Sequence, residues 1–524
     1  MTERTITELL SAAEPTEPKP LAGLLDRLGV DRTDMAAISV RGVTNDSRSV
    51  EPGGVFVAVP GAHTDGHEHI TSAAERGASA ALVERVVDRT PLPQIVVAST
   101  QRALATAAAW WYGDPSHDLL AIGITGTDGK TTTSYLAVAA LESAGIRTGM
   151  LGTAGQRIGG TSEPNPEHAT TPDAPILQRA LRAMAIAGDA AAVIETTSHG
   201  LALERVGEVA YDIAILTNVT HEHLEFHGTW EAYRDAKLSL FERLAVTAAN
   251  PRKRWPKIAI VNADDPSADR FVEAARRAGA RVLTYGTDPA ATVRATSIDE
   301  DELGLTVSYD APSGSATVRL ALAGRFNAHN ALAVVALGEA LGLDSAAVSD
   351  GLASVVRIPG RMERVEVGQP FTVIVDYAHS PTSLQTVLDE LAPAAKAHGG
   401  GVIVVFGSAG ERDTAKRPLM GRIAAQRCRL VIVTDEDPRG EDRDAILEAI
   451  AQGAEAAGAR RGETLLLIAD RRTAIQAAIQ AARPGDIVLL AGKGHERSII
   501  GPDGPHPWNE RAEAEDALRR AGFG

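Results

Sequence analysis

Leu120-Ala121-Ile122-Gly123-Ile124-Thr125 runs straight into Gly126-Thr127-Asp128-Gly129-Lys130-Thr131-Thr132-Thr133, and a helical pattern over 131–144 follows. The apolar run reads as a buried strand, so the glycine-rich turn sits between strand and helix. Glycines let backbone N–H groups face an anion. The new helix presents its positive end, Lys130 adds a point charge, and Thr131 can hold Mg²⁺. Gly126, Thr127, Asp128, Gly129, Lys130, Thr131 and Thr132 are therefore a candidate triphosphate site. The bland alternative is a turn that merely joins strand to helix. The spacing is compact: the upstream glycine of the common phosphate loop would fall on Ile124.

Outward from this loop, apolar strands over 191–195, 213–218 and 258–262 alternate with helical patterns. Such alternation predicts a parallel sheet flanked by helices. Residues 290–323 alternate in polarity around a turn at Pro312-Ser313-Gly314 and read as an antiparallel extension. Strand–helix alternation resumes with strands over 371–375, 402–406, 430–434, 465–468 and 487–491, a second doubly wound domain. Before the loop, strands over 54–59 and 95–98 accompany a helix over 100–111. Punctuation at Gly113-Asp114-Pro115-Ser116 and at Arg357-Ile358-Pro359-Gly360 divides the chain into 1–116, 117–357 and 358–524. The fold class is α/β in three domains.

A chain of 524 residues suits three domains, and 44 % apolar residues supply their cores. The 52 basic and 68 acidic residues give a net charge of −16. That balance argues against nucleic acid or anionic membranes as partners. The one cysteine, Cys428, can form neither an internal disulfide nor a zinc cluster, which fits the cytosol. The first twenty residues carry no apolar core of signal-peptide length, and no apolar run could span a bilayer. A cytoplasmic protein without stable membrane insertion is expected.

Glu195 closes the strand over 191–195, and a strand-end carboxylate facing a phosphate loop suits Mg²⁺. His221, His223 and His227 invite a zinc reading, but alternate residues on an extended segment seldom converge.

These motifs, in order, resemble the Mur ligase family. Its E-x-x-S-H-G … T-N … D-H-L-x-x-H-G signature appears as Glu195 to Gly200 and Thr217 to Gly228, with Glu222 in the usual Asp position. Its Y-x-x-A-K-x-x-L-F appears as Tyr233 to Phe241. Its G-x-F-N-x-x-N-A appears as Gly324 to Ala331, and Pro359-Gly360-Arg361 and Asp376-Tyr377-Ala378-His379 complete the train. Asp128 stands where most members have Asn, and Thr382 where they have Asp.

The resemblance implies an ATP-dependent acid–amino-acid ligase. Lys130, Glu195, His223, Lys237 and Arg361 would be its catalytic residues, and Thr131, Glu195, His223 and a CO₂-derived carbamate on Lys237 would hold two Mg²⁺. Read alone, Lys237 is a helix-surface lysine. Asn330 would contact adenine, Arg361 the γ-phosphate, and Asp376 and His379 the ribose and phosphates.

Asn45-Asp46-Ser47-Arg48 and the following glycines resemble the family's domain for a uridine-diphosphate substrate. Asn45, Ser47, Thr170, Thr171, Thr197, Ser198 and Arg205 would bind that substrate, UDP-N-acetylmuramoyl-L-alanyl-D-glutamate. Arg412-Asp413, Glu436-Asp437-Pro438-Arg439 and Gly492-Lys493-Gly494-His495-Glu496 resemble the branch that adds the third, diamino residue of the peptidoglycan stem. Arg412, Glu436, Asp437, Pro438, Arg439, Gly492 and Glu496 would hold the amino acid. Arg439 favours meso-2,6-diaminopimelate. The added acid at 437 leaves lysine or ornithine open, through a local Asp437–Arg439 pair. A folylpolyglutamate-synthetase-like ligase and a noncatalytic nucleotide-binding partner are the remaining alternatives. A monomer is expected.

Overall fold

A computed structural model describes residues 4–61, 64–88, 90–166, 169–220, 224–245, 253, 255–301 and 304–524, without the side chains of 224 and 225. Its largest sheet has eleven strands. Strand Leu120–Thr125 lies near the middle, between Ala191–Glu195 and Ile213–Leu216, and all three run parallel. Ile258–Asn262 and Arg281–Gly286 continue the parallel order on one side, and Thr148–Leu151 on the other. These strands are continuous apolar runs because helices cover both faces. Helices Lys130–Ser143 and Asn327–Leu341 pack on one face, and Ala174–Ala187 and Trp230–Glu242 on the other.

The expected antiparallel extension is present as Val293–Asp301, Gly304–Ala311 and Gly314–Leu320. At the opposite edge Gln156–Ile158 and Thr161–Glu163 form a hairpin that the periodicity does not reveal. The expected strand over 213–218 ends at Leu216, because Thr217 and Asn218 turn to bond the phosphate loop.

A six-stranded sheet carries the C-terminal part. Its order is Glu363–Val365, Thr372–Asp376, Ile487–Ala491, Val402–Phe406, Leu430–Val433, Leu465–Leu467, parallel after the first pair. A four-stranded parallel sheet of Gly42–Thr44, Gly54–Val57, Ala80–Val83 and Gln94–Val96 carries the N-terminal part, with helix Thr100–Tyr112 against it. One element departs from this sequence-order partition. Helix Ile6–Ala12 is closed by a Thr5/Glu8 capping box, and it packs Ile6 and Leu9 into the core of the eleven-stranded sheet beside Leu177 and Ile158. Among the described residues no helix is long and apolar enough to cross a membrane.

Candidate active site

The C-terminal ends of the central strands meet at one cleft, the usual place for a ligand in an open parallel sheet. The cleft measures about 480 Å³ and opens between the phosphate loop and the residues that follow strand Thr372–Asp376. Thr127, Asp128, Gly129, Lys130, Thr131 and Thr132 line one wall. Asn330, Arg361, Asp376 and His379 line the other, and Thr170 and Thr197 border it.

The loop's shape follows from close approaches. A Cβ on Gly126 would lie 1.8 Å from Thr217 Oγ1, and one on Gly129 would lie 2.5 Å from Asn330 Oδ1. Gly129 also needs its φ of +85° to start the helix, so any side chain there is strained. Asp128 donates its N–H to Asn218 Oδ1 at 3.0 Å, and its carbonyl accepts from Thr217 and Asn218. Lys130 Nζ donates to the carbonyls of Gly126 and Thr127 at 2.9 and 2.7 Å, which holds its charge over the loop.

Glu195 is fully buried. It accepts from Thr131 Oγ1 at 3.0 Å, from Thr153 Oγ1 at 2.8 Å and from the Thr153 N–H at 3.0 Å. A Cβ on Gly152 would come within 2.2 Å of its carboxylate, so this turn is shaped around Glu195. Thr153, absent from the sequence-derived site, carries no local signal; it matters because strands Thr148–Leu151 and Ala191–Glu195 are neighbours. Arg361 Nη2 donates to Thr131 Oγ1 at 3.1 Å, and its guanidinium stacks over Tyr377 at 4.6 Å. Three oxygen donors, from Thr131 and the two oxygens of Glu195, thus sit beside the loop. Such hard donors suit Mg²⁺, which keeps several waters and needs few protein ligands. Among the described residues no three His, Cys, Asp or Glu side chains gather as a metal site.

Lys237 is only 2 % exposed, so the surface reading of this lysine does not hold. Its Nζ donates to Gly126 O at 2.7 Å and lies 4.4 Å from the centre of the Tyr233 ring. Tyr233 OH in turn bonds Thr127 Oγ1 at 2.9 Å. His223, with His221, lies outside the described residues. The segment expected to be extended becomes a helical turn at Leu224–His227.

Asn330 is buried, with its amide oxygen bonded to Thr133 Oγ1 and its amide nitrogen to Asn327 Oδ1. Asp376 is also buried, and its two oxygens accept the N–H groups of Met362 and Ala378. Burial raises its pKa while the Arg361 charge opposes the rise. Its carboxylate thus shapes the turn that presents Arg361. His379 Nδ1 is bonded to its own turn through Tyr377 O.

The expected uridine-substrate residues form a seam. Asn45 donates to Asp173 at 3.2 Å, and Arg205 pairs with the same carboxylate at 2.9 Å while bonding Thr171 O. Thr171 Oγ1 donates to Glu195 O at 2.7 Å, Thr170 bonds Thr153, and Thr197 caps the helix begun by Ser198. Ser47 is buried at the start of a short turn capped by Asp46.

A second cluster forms where the loops after Leu430–Val433 and Ile487–Ala491 face each other. Asp437 Oδ1 accepts from Lys493 Nζ at 2.8 Å and from Ile500 N–H at 2.9 Å. Lys493 is fully buried and also bonds Glu496. Burial alone would lower its pKa, but Glu496 and Asp437 outweigh that and raise it. Asp437 is therefore paired with Lys493 and not with Arg439. Arg439 Nε and Glu436 Oε2 are buried without a hydrogen-bond partner, and Glu436 Oε2 lies beside Gly492. Arg412 is exposed. Tyr377 joins cluster to cleft: it lines the cleft, donates to Glu496 at 3.4 Å and packs its ring at a tilt against His495. His495 is pushed down to about 3 by burial and by the charges of Arg361 and Lys493, so its ring is neutral.

A phosphate loop facing an arginine from the second sheet's side of the cleft suits a nucleoside triphosphate, and similarity to known proteins narrows the class. The profile of the Mur ligase middle domain matches residues 124–338, that of the Mur ligase glutamate ligase domain 360–494, and that of the Mur ligase family catalytic domain 39–112. A UDP-N-acetylmuramyl-tripeptide synthetase of Roseiflexus sp. (strain RS-1) is 50 % identical over 491 residues, 93 % of this chain and 96 % of that protein. A UDP-N-acetylmuramoyl-L-alanyl-D-glutamate–2,6-diaminopimelate ligase of Geobacter metallireducens is 40 % identical, covering 92 % and 95 %. A solved structure bearing the same ligase name superposes with a TM-score of 0.65 at 30 % identity, covering 97 % of this chain and all of that one. The chain belongs to the Mur ligase family. Members of this family are ATP-dependent amino-acid ligases that use Mg²⁺.

Proposed function

We propose that this chain joins meso-2,6-diaminopimelate to the D-glutamate of UDP-N-acetylmuramoyl-L-alanyl-D-glutamate, in the cytoplasm, giving ADP and phosphate. The observation that carries the choice of amino acid is that Arg439 Nε and Glu436 Oε2, on the same loop, are each buried without a hydrogen-bond partner. A buried guanidinium edge without an acceptor is costly. The far end of diaminopimelate offers both a carboxylate and an ammonium. Lysine and ornithine offer the ammonium alone and would leave Arg439 unmet. The pairing of Asp437 with Lys493 removes the reason for preferring them. The relatives named above point the same way.

The substrate's γ-carboxylate oxygen attacks the γ-phosphorus of ATP, and ADP leaves as the P–O bond breaks. The diamino acid's amino group then attacks the acyl phosphate. Phosphate departs, and the nitrogen loses a proton as the amide forms. Lys130 and Arg361 gather around the anionic phosphoryl group, where fixed charges in a closed site are worth most. Tyr377 keeps the incoming amine's pocket next to the phosphate cleft. Thr131 and Glu195 would hold one Mg²⁺, and His223 and a Lys237 carbamate a second, and the charge supplied there would neutralise that of the phosphates. Forming that carbamate joins the neutral Lys237 Nζ to the carbon of CO₂ with loss of a proton, turning a cation into an anion. The residues for the uridine substrate are Asn45, Ser47, Thr170, Thr171, Thr197, Ser198 and Arg205, and Asn330, Asp376 and His379 border the nucleotide. The domains run 1–116, 117–357 and 358–524 in sequence order, with helix Ile6–Ala12 of the first docked on the core of the second. ATP turnover measured with and without the dipeptide precursor tests the reading; turnover indifferent to the precursor contradicts it.

A further inference from the structure

The two loops of the amino-acid pocket do not grow from neighbouring strands. Leu430–Val433 carries Glu436 to Arg439, and Ile487–Ala491 carries Gly492 to Glu496, but Val402–Phe406 lies between them in the sheet. Two strand spacings, roughly 10 Å, therefore separate their origins, and no ladder bond links them. Arg471 spans this gap. Its Nη1 donates to Asp435 O at 3.0 Å, one residue before Glu436, and its Nη2 donates to Ala491 O at 2.7 Å, one residue before Gly492. The side chain is wholly buried, and so is its partner Glu510, which receives Nε and Nη2 at 2.9 and 2.6 Å. Trp508 Nε1 also donates to Glu510 Oε2, at 2.6 Å. The pocket carboxylates Glu436 and Glu496 are close enough to act on the Arg471 charge.

Arg471 is the first residue of its helix. A cation at a helix's positive end gains nothing from the dipole, so local helix stability does not account for it there. A buried ion pair is also a weak source of stability compared with apolar residues of similar size.

We infer that Arg471, held by Glu510, is a positioning residue for the amino-acid substrate. Together with the Lys493–Asp437 ion pair that joins the loops farther out, it sets the separation of their bases, and with it the distance from Glu436 and Arg439 to Glu496. It touches no reacting atom and acts through two backbone carbonyls. This inference rests on the ligase reading above.

The test uses the full chain with ATP, the dipeptide precursor and diaminopimelate. Two variants are compared with wild type: Arg471→Met combined with Glu510→Leu, which leaves no unpaired buried charge, and Arg471→Lys, which keeps the charge but cannot span both carbonyls equally. The double variant should raise the KM for diaminopimelate about tenfold or more, because small misplacements of a binding group are expensive. The KM values for ATP and precursor should stay within about twofold, as contacts distant from the change are independent. Arg471→Lys should fall between wild type and the double variant. An unchanged KM for diaminopimelate overturns the inference, as does a parallel rise in all three KM values, which marks general loosening. If the double variant does not fold, Arg471→Lys decides by the same selective rise or its absence. A wild-type chain inactive with every diamino acid contradicts the ligase reading instead, whereas an active wild type with an unmoved variant contradicts the positioning role alone.

Discussion

At the phosphate loop the charged groups are met by protein, and among the described residues only the hydroxyls of Thr125 and Thr220 beside it are buried without a partner. Asp128 bonds Asn218 and Thr217, Lys130 bonds two loop carbonyls, and Glu195 accepts three hydrogen bonds. In the C-terminal pocket, by contrast, Arg439 Nε, Glu436 Oε2 and His495 Nδ1 are buried with no partner. An unmet buried polar atom costs about 1–3 kcal/mol, so such atoms are rare in folded chains. The contrast separates two tasks. The loop is a preorganised cradle for a ligand common to many enzymes. On the proposed function, the C-terminal cluster is completed by the amino acid, and the atoms it leaves unmet describe what it would select.

The largest effect is expected at the cradle. Lys130→Ala should lower ligation by about 10³-fold or more, since it removes a fixed charge from the phosphoryl group. Binding of the uridine precursor, followed by calorimetry, should be nearly unchanged. Turnover close to wild type would break the phosphate-loop reading.

Lys237→Ala should cost on the order of 10²-fold in kcat. If the residue acts as a carbamate, short carboxylates such as acetate or propionate should restore part of the loss. Full activity in the alanine variant would remove the carbamate from the account.

In the pocket, Arg439→Ala should raise the KM for diaminopimelate about 10- to 100-fold, the worth of a charge-assisted hydrogen bond. Any slow use of lysine or ornithine should change less. Equal losses with all three amino acids would show that Arg439 supports the loop and does not read the substrate.

A further effect concerns stability and leaves the chemistry untouched. His495, ordinarily near 6.5, is pushed down to about 3, first by burial and then by Arg361 and Lys493. A base whose folded value is depressed gives stability that is complete above pH 6.5 and is lost as pH falls toward 3. Each pH unit in that window costs up to about 1.4 kcal/mol. His495→Phe should flatten the difference between melting curves taken at pH 7 and pH 4.5. An unchanged slope would mean that the ring is not held neutral.

What the sequence discloses follows the same division. The cradle is legible because a strand, a glycine turn and a helix start are local and contiguous. The antiparallel extension is legible for the same reason. Helix Ile6–Ala12 carries a readable signal in Thr5 and Glu8, yet its docking beside Leu177 depends on residues far along the chain. Lys237 sits in the charged run Arg234-Asp235-Ala236-Lys237, so nothing local distinguishes it from a solvated face. Only the neighbouring Gly126 carbonyl shows that it is buried. The partner of Asp437 could not be chosen from sequence, since Arg439 is two residues away and Lys493 fifty-six. Proximity in the chain favoured the wrong cation, and the sheet order brought in the other one.

The most direct measurement is a panel of amino acids offered to the purified chain with ATP, Mg²⁺ and UDP-N-acetylmuramoyl-L-alanyl-D-glutamate, with ligated product followed by mass. The account predicts efficient formation of the diaminopimelate tripeptide and little product with lysine or ornithine. Efficient product with lysine or ornithine, and none with diaminopimelate, would contradict it.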